Sequence, residues 1–205
     1  MGDVNMATKQ LNSLKFLDAA INHKDYARPE LANVFEFDCG AKATTNGHIC
    51  HIVTSSTIKP DDLIPGKPKY TDGPDIRRCL PRAKSRAMII LQTRVLLAAT
   101  DLIRPLRRLG VGDMRLTIIS DCHYGTILEV KSPVSEFKFK CAGSSPSDFD
   151  GDPIKVVLNL EYVQDSLLHA TTNNVVIHYY GSGEPVLFEI ADNAVALLMP
   201  YNTGE

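Results

Sequence analysis

Residues 159–201 read NLEYVQDSLLHATTNNVVIHYYGSGEPVLFEIADNAVALLMPY. Asn159 is a helix-capping residue type, and the Leu160, Val163 and Leu167 that follow it fall on one helical face. The spacing predicts a helix over LEYVQDSLLHA. VVIHYY, a GSG turn, PVLFEIA and AVALLMP then read as strands, because their runs are short, β-branched and bounded by turn residues. One helix followed by antiparallel strands is therefore the unit from which the chain is read.

The same plan stands twice more upstream. Over residues 92–104, Val95, Leu96, Ala99, Leu102 and Ile103 line one face, and Pro105 and Gly110 close the helix. MRLTIIS and YGTILEVKS follow as strands with Asp121-Cys122-His123 as their turn, and SEFKFKCA alternates with the period of a half-buried strand. Over residues 8–22, Leu11, Leu14, Phe16, Leu17 and Ile21 mark a further helix, ended by Arg28-Pro29. ANVFEFD and GHICHIVTSS read as two strands separated by CGAKATTN. The stretch 56–85 holds Pro60, Pro65, Pro68, Pro74 and Pro81 and reads as a connector without a helix of its own. Repeated helix-plus-sheet units predict an α+β body, with helices on one side and sheets on the other.

The 205 residues are 44% hydrophobic and 22% charged, which fits a globular chain and excludes a disordered or low-complexity one. No run nears the about 18 apolar residues of a membrane span, and the start lacks the pattern of an export signal. The net charge of −2 excludes a uniformly basic nucleic-acid binder but permits positive charge gathered on one surface. Cys39, Cys50, Cys79, Cys122 and Cys141 are an odd set with no CxxC, and read as reduced thiols of a cytoplasmic protein.

Little of this looks catalytic, and no cofactor is expected. His48 and His51, three apart on a strand, face opposite ways and make poor joint metal ligands. Asp148-Phe149-Asp150-Gly151-Asp152 lacks the glutamate that closes a calcium loop and reads as a solvated turn. Cys122 beside His123 is adjacency in sequence, whereas catalytic pairs are set in space. Lys9, Lys15, Lys24, Arg94, Arg104, Arg107 and Arg108 sit on or beside the first two helices, as a solvated face or as sequence-independent phosphate contacts. At the chain end, Leu197, Leu198, Met199, Pro200 and Tyr201 read as a sheet edge or as an adaptable binding surface.

Three stretches together resemble the bacterial β sliding clamp, the ring-shaped processivity subunit of DNA polymerase III. RPELANVFEF with ATTNGHICHI is similar to the middle domain's R-P-x-L and T-D-G-H-R-L strands. PDIRRCLP resembles the P-D-Y-R-R-V-L-P linker, and LLMPYN the terminal V-M-P strand. The sequence departs at Asn46, Ile49 and Cys50, where the family motif has Asp, Arg and Leu, and at Tyr201-Asn202-Thr203 in place of M-R-L. The resemblance implies a shortened clamp, without the first domain and with half of the middle one. Residues 1–73 would be the partial domain and 74–205 the complete last domain.

The resemblance further implies a non-enzymatic, closed ring, with helices lining a hole around duplex DNA and sheets outside. Lys9, Lys15, Arg94, Arg104, Arg107 and Arg108 would then face DNA. A pocket for short peptide motifs of the polymerase and clamp loader would form from Leu31, Thr45, Gly47, His48, Ile49 and Cys50, with Pro74, Arg78 and Cys79, and with Leu197, Leu198, Met199, Pro200 and Tyr201. The family's ring has twelve helix–sheet units and this chain three, so four chains, a tetramer with two-fold axes, would complete one. The alternative is a protein-binding relative that keeps the groove without encircling DNA.

Overall fold

A computed structural model describes residues 11–21, 28–57, 63, 69, 76–81, 84–101, 105, 108–109, 112, 114–121, 125–141 and 153–201. Helix α1 spans Ser13–Asp18, α2 Thr93–Asp101 and α3 Leu160–Leu167, with short 3-10 turns η1 at Pro29–Ala32 and η2 at Ile76–Cys79. The strands are β1 (Phe35–Glu36), β2 (Lys42–Thr45), β3 (Ile49–Val53), β4 (Ala87–Gln92), β5 (Arg115–Asp121), β6 (Gly125–Ser132), β7 (Ser135–Cys141), β8 (Ile154–Asn159), β9 (Asn174–Tyr179), β10 (Val186–Ala191) and β11 (Ala194–Leu198).

The expected cap at Asn159 is present, its Oδ1 accepting from the Glu161 and Tyr162 amides at 2.9 and 3.3 Å. Leu160, Val163 and Leu167 are buried beneath α3 as their spacing predicts. α1 differs from expectation. It starts after Asn12, whose side chain accepts from Lys15 N, and it buries Phe16 and Leu17 while leaving Leu14 78% exposed. Leu14 lies two residues from Phe16, about 200° around the helix, so the two cannot share a face.

Three strands escape the sequence reading. β2 lies within CGAKATTN, taken as a separator, because its Thr44 and Thr45 are buried, Thr44 donating to the Leu17 carbonyl at 2.6 Å. β4 runs straight into α2 and β8 straight into α3, with no glycine or proline to mark the change of period. These two leading strands are exchanged. β4 pairs with β9 and β8 with β5, so the second and third units complete each other's sheets. The connector also contains η2, where no helical turn was expected.

A seven-stranded sheet runs β1-β2-β3-β11-β10-β9-β4, and a four-stranded sheet β7-β6-β5-β8. Antiparallel pairing of β3 with β11 joins the first unit to the third, with Ile49 opposite Leu198 and Cys50 opposite Leu197. The main core gathers the apolar faces of the three helices with residues of both sheets. A second cluster covers the other face of the larger sheet, where Leu63, Ile76 and Leu80 of the connector pack on Cys50, Ile52, Leu187, Val195 and Leu197. Strand alternation therefore sends neighbours on β11 into different cores, Leu198 into the first and Leu197 into the second.

Candidate functional site

The turn before β3 is fixed by its own side chains. Asn46 Oδ1 accepts from the amides of His48 and Ile49 at 2.9 and 3.0 Å, and Thr45 Oγ1 donates to the Ile49 carbonyl at 2.8 Å. Gly47 adopts φ +92°, a backbone conformation that favours glycine, and a Cβ there would lie 2.9 Å from the Arg28 guanidinium and displace the tip of that side chain. This turn presents His48 at the surface. The Met199 amide then donates to the His48 carbonyl at 2.9 Å, carrying the β3–β11 pairing one step past the end of β11.

Beside this junction η2 sets Cys79 and Leu80, and the turn at Gly183, Glu184 and Pro185 closes the far side. The result is a groove of ≈ 300 Å³, lined also by Thr45, Gly47, His48, Ile49, Cys50, Leu197 and Met199. A neighbouring compartment of ≈ 350 Å³ is lined by His48, Asn159, Tyr162, Met199, Pro200 and Tyr201. His48 and Met199 border both, and Met199 is 39% exposed between them.

Tyr201 is held in place on three sides. Its amide donates to the Val157 carbonyl at 2.8 Å, its hydroxyl accepts from Asn159 Nδ2 at 3.3 Å, and the Arg115 guanidinium lies 4.7 Å over its ring. Asn159 thus caps α3 with one side-chain atom and anchors the chain end with the other. The His48 and Tyr162 rings lie near parallel, 6.3 Å apart between centroids. Burial pushes the Tyr162 hydroxyl up, opposed by its hydrogen bond with Asn46.

The chemistry of the groove is apolar contact. Burial, with a smaller effect of Cys79, pushes the Cys50 thiol up, so it stays protonated and lines the wall as a small apolar group. Cys39, Cys50, Cys79 and Cys141 form no disulfide. His51 is a buried core residue: its Nδ1 faces the Phe16 carbonyl at 2.5 Å and its Nε2 the Ser166 hydroxyl at 3.0 Å. His48 and His51 do not meet, and among the described residues no group of three or more potential metal ligands occurs.

Of the expected pocket residues, Thr45, Gly47, His48, Ile49, Cys50, Cys79, Leu197 and Met199 line the groove, and Pro200 and Tyr201 the second compartment. Leu198 lines neither, since it points into the main core, and Leu31 is buried in η1 outside both. Arg78 lies in η2, and Pro74 lies outside the described residues. Leu80, the Gly183–Pro185 turn, Asn159 and Tyr162 complete the two compartments without having been expected there.

Lys15, Arg94 and Arg108 are exposed, Arg94 Nε donating to Gln92 Oε1 at 2.9 Å. Lys9, Lys24, Arg104 and Arg107 lie outside the described residues, as do Cys122, His123 and the run 148–152. The three described helices carry Lys15 and Arg94 against Asp18, Asp101, Glu161 and Asp165. No described helix is long and apolar enough to cross a membrane.

No protein-family model matches the chain, and no curated protein does. Solved structures do. A DNA polymerase sliding clamp from Bacillus subtilis superposes with a TM-score of 0.70 at 15% identity, covering 98% of this chain and 68% of that one. The beta subunit from DNA polymerase of Streptococcus pyogenes gives 0.68 at 15% identity, over 96% and 67%. A DnaN sliding clamp from Bartonella birtlesii, bound to griselimycin, gives 0.67 at 14% identity, over 98% and 70%. The α+β fold of this chain is thus the fold of bacterial sliding clamps, and the chain spans about two thirds of their length.

Proposed function

We propose that the chain is a shortened, non-enzymatic sliding clamp of the cytoplasm that encircles duplex DNA and holds a replicative polymerase and a clamp loader by short peptide motifs. The observation that carries this reading is the apolar groove where β3, β11 and η2 meet. A mostly apolar concavity with a partly exposed methionine at its lip suits the anchoring of Leu or Phe side chains. Residues 1–73 form the partial domain and 74–205 the complete one. Four chains close the ring as a tetramer with two-fold axes, each supplying three of twelve units. Weak phosphate contact by the basic residues lets the ring slide, since sequence-independent ionic contact is easily exchanged.

One observation favours a second reading, a groove-bearing module that binds peptides without encircling DNA. The described helices carry more acidic than basic residues, so a positive lining for a DNA-threading ring needs Lys9, Arg104, Arg107 and Arg108 in addition to Lys15 and Arg94. Retention on circular DNA separates the two. The ring stays on a nicked circle and leaves when the circle is linearised, and charge reversal at Arg104, Arg107 and Arg108 abolishes retention while peptide capture persists. Equal retention on circular and linear DNA refutes the ring.

A further inference from the structure

β7 is an edge strand: among the described residues its one ladder neighbour is β6. No described strand pairs with the N–H and C=O groups on its far side, which are the groups another strand would use. Its side chains are patterned. On one face Glu136 stands opposite Lys131 at 3.9 Å and Lys138 opposite Glu129 at 2.8 Å, and Lys138 also reaches Glu136 of its own strand at 3.4 Å. On the other face Phe137 stands opposite the fully buried Val130, yet Phe137 is itself 40% exposed. Charges alone would blunt a free edge against association. A half-open phenylalanine on the opposite face of the same strand works the other way.

We propose that β7 pairs antiparallel with β7 of a second copy of this chain, across a two-fold axis at Phe137. In that register Glu136 faces the second copy's Lys138, and Lys138 its Glu136. Two charge rows then cross the joint, Lys131–Glu136–Lys138–Glu129 in one direction and the same order in the other, with every neighbour of opposite sign. The two Phe137 rings meet on the other face and cover each other. Other registers lose this match. Centring on Lys138 sets the two Lys138 side chains against each other, and parallel pairing in register sets Glu136 against Glu136. The strand is therefore complementary to itself in one orientation and one register. This deepens the ring reading, on which its place in an assembly rests, by naming the joint at one end of the arc.

Sedimentation of Glu136→Lys and Lys138→Glu variants of the full chain tests the pairing. Each variant alone places like charges across the joint, and its self-association at this contact weakens by about 10-fold or more. A one-to-one mixture sets the new lysine against the new glutamate and recovers the mass of the unaltered protein. Circular dichroism of each variant, unchanged from the parent, shows that the exposed substitutions leave the fold intact. Variants that keep the parental mass, or a mixture that stays dissociated, overturn the proposal. If such variants still form rings, the joint is wrong and the ring reading stands. If the unaltered chain is a monomer, both fall.

Discussion

The buried imidazole of His51 makes the stability of this protein depend on pH in a calculable way. The ring is stacked on Phe16 at 4.0 Å between centroids and is closed from solvent in β3. Burial pushes its pKa down to about 3 from an ordinary 6.5, the Phe16 carbonyl opposing and His169 assisting. A carbonyl can only accept, so the neutral ring carries its proton on Nδ1, while Nε2 lies 3.0 Å from the Ser166 hydroxyl, which itself donates to the Tyr162 carbonyl at 2.8 Å. As pH falls below about 6.5, the unfolded chain takes up a proton that the folded chain refuses. Stability is thus full above that pH and declines as pH falls toward the folded value. Each pH unit in the window costs about 1.4 kcal/mol, so moving from about pH 6.5 to about 4.5 removes about 2–3 kcal/mol. That is a sizeable part of the about 5–15 kcal/mol of a folded domain. Urea unfolding of the parent and of His51→Gln, at fixed protein concentration, measures the effect. The parent loses stability relative to the variant by about 1.4 kcal/mol per unit below about pH 6.5, and the difference is flat above it. Parallel curves for the two proteins, or a relative gain by the parent in acid, refute the assignment.

Three further outcomes follow from the groove. Met199→Ala weakens capture of a Leu/Phe-bearing peptide by about 10-fold in fluorescence anisotropy, since Met199 borders both compartments, while the thermal midpoint barely moves because the side chain is 39% exposed. Asn159→Ala removes the cap of α3 and the anchor of Tyr201 together, for a loss of about 1 kcal/mol, read as a fall of about 2–4 °C in melting temperature. Gly47→Ala forces a side chain into φ +92° and against Arg28, costing about 1–2 kcal/mol in chemical unfolding and displacing the His48 turn from the groove.

The helices and the long strands were legible because their signals are local. Asn159 with Leu160, Val163 and Leu167 predicts both the start and the buried face of α3, and the alternation of SEFKFKCA predicts β7. β2, β4 and β8 were not legible for reasons equally specific. Thr44 and Thr45 look like loop residues until Leu17 supplies a carbonyl for one of them, and β4 and β8 pass into their helices without a punctuating residue. The groove divides the same way. The motif resemblance brought together three distant segments that the fold does bring together, from Thr45 to Cys50, at Cys79, and from Leu197 to Tyr201. It named Leu198 with Leu197, although alternation separates them into two cores. It omitted the Gly183–Pro185 turn, whose place at the groove follows from β10 lying next to β11, a strand order that no local pattern encodes.

Imaging of the purified particle by electron microscopy tests the ring most directly. The account predicts a closed assembly of four chains, with α1, α2 and α3 turned toward a central opening that passes duplex DNA. Particles of one or two chains without such an opening, or rings whose helices face bulk solvent, contradict it.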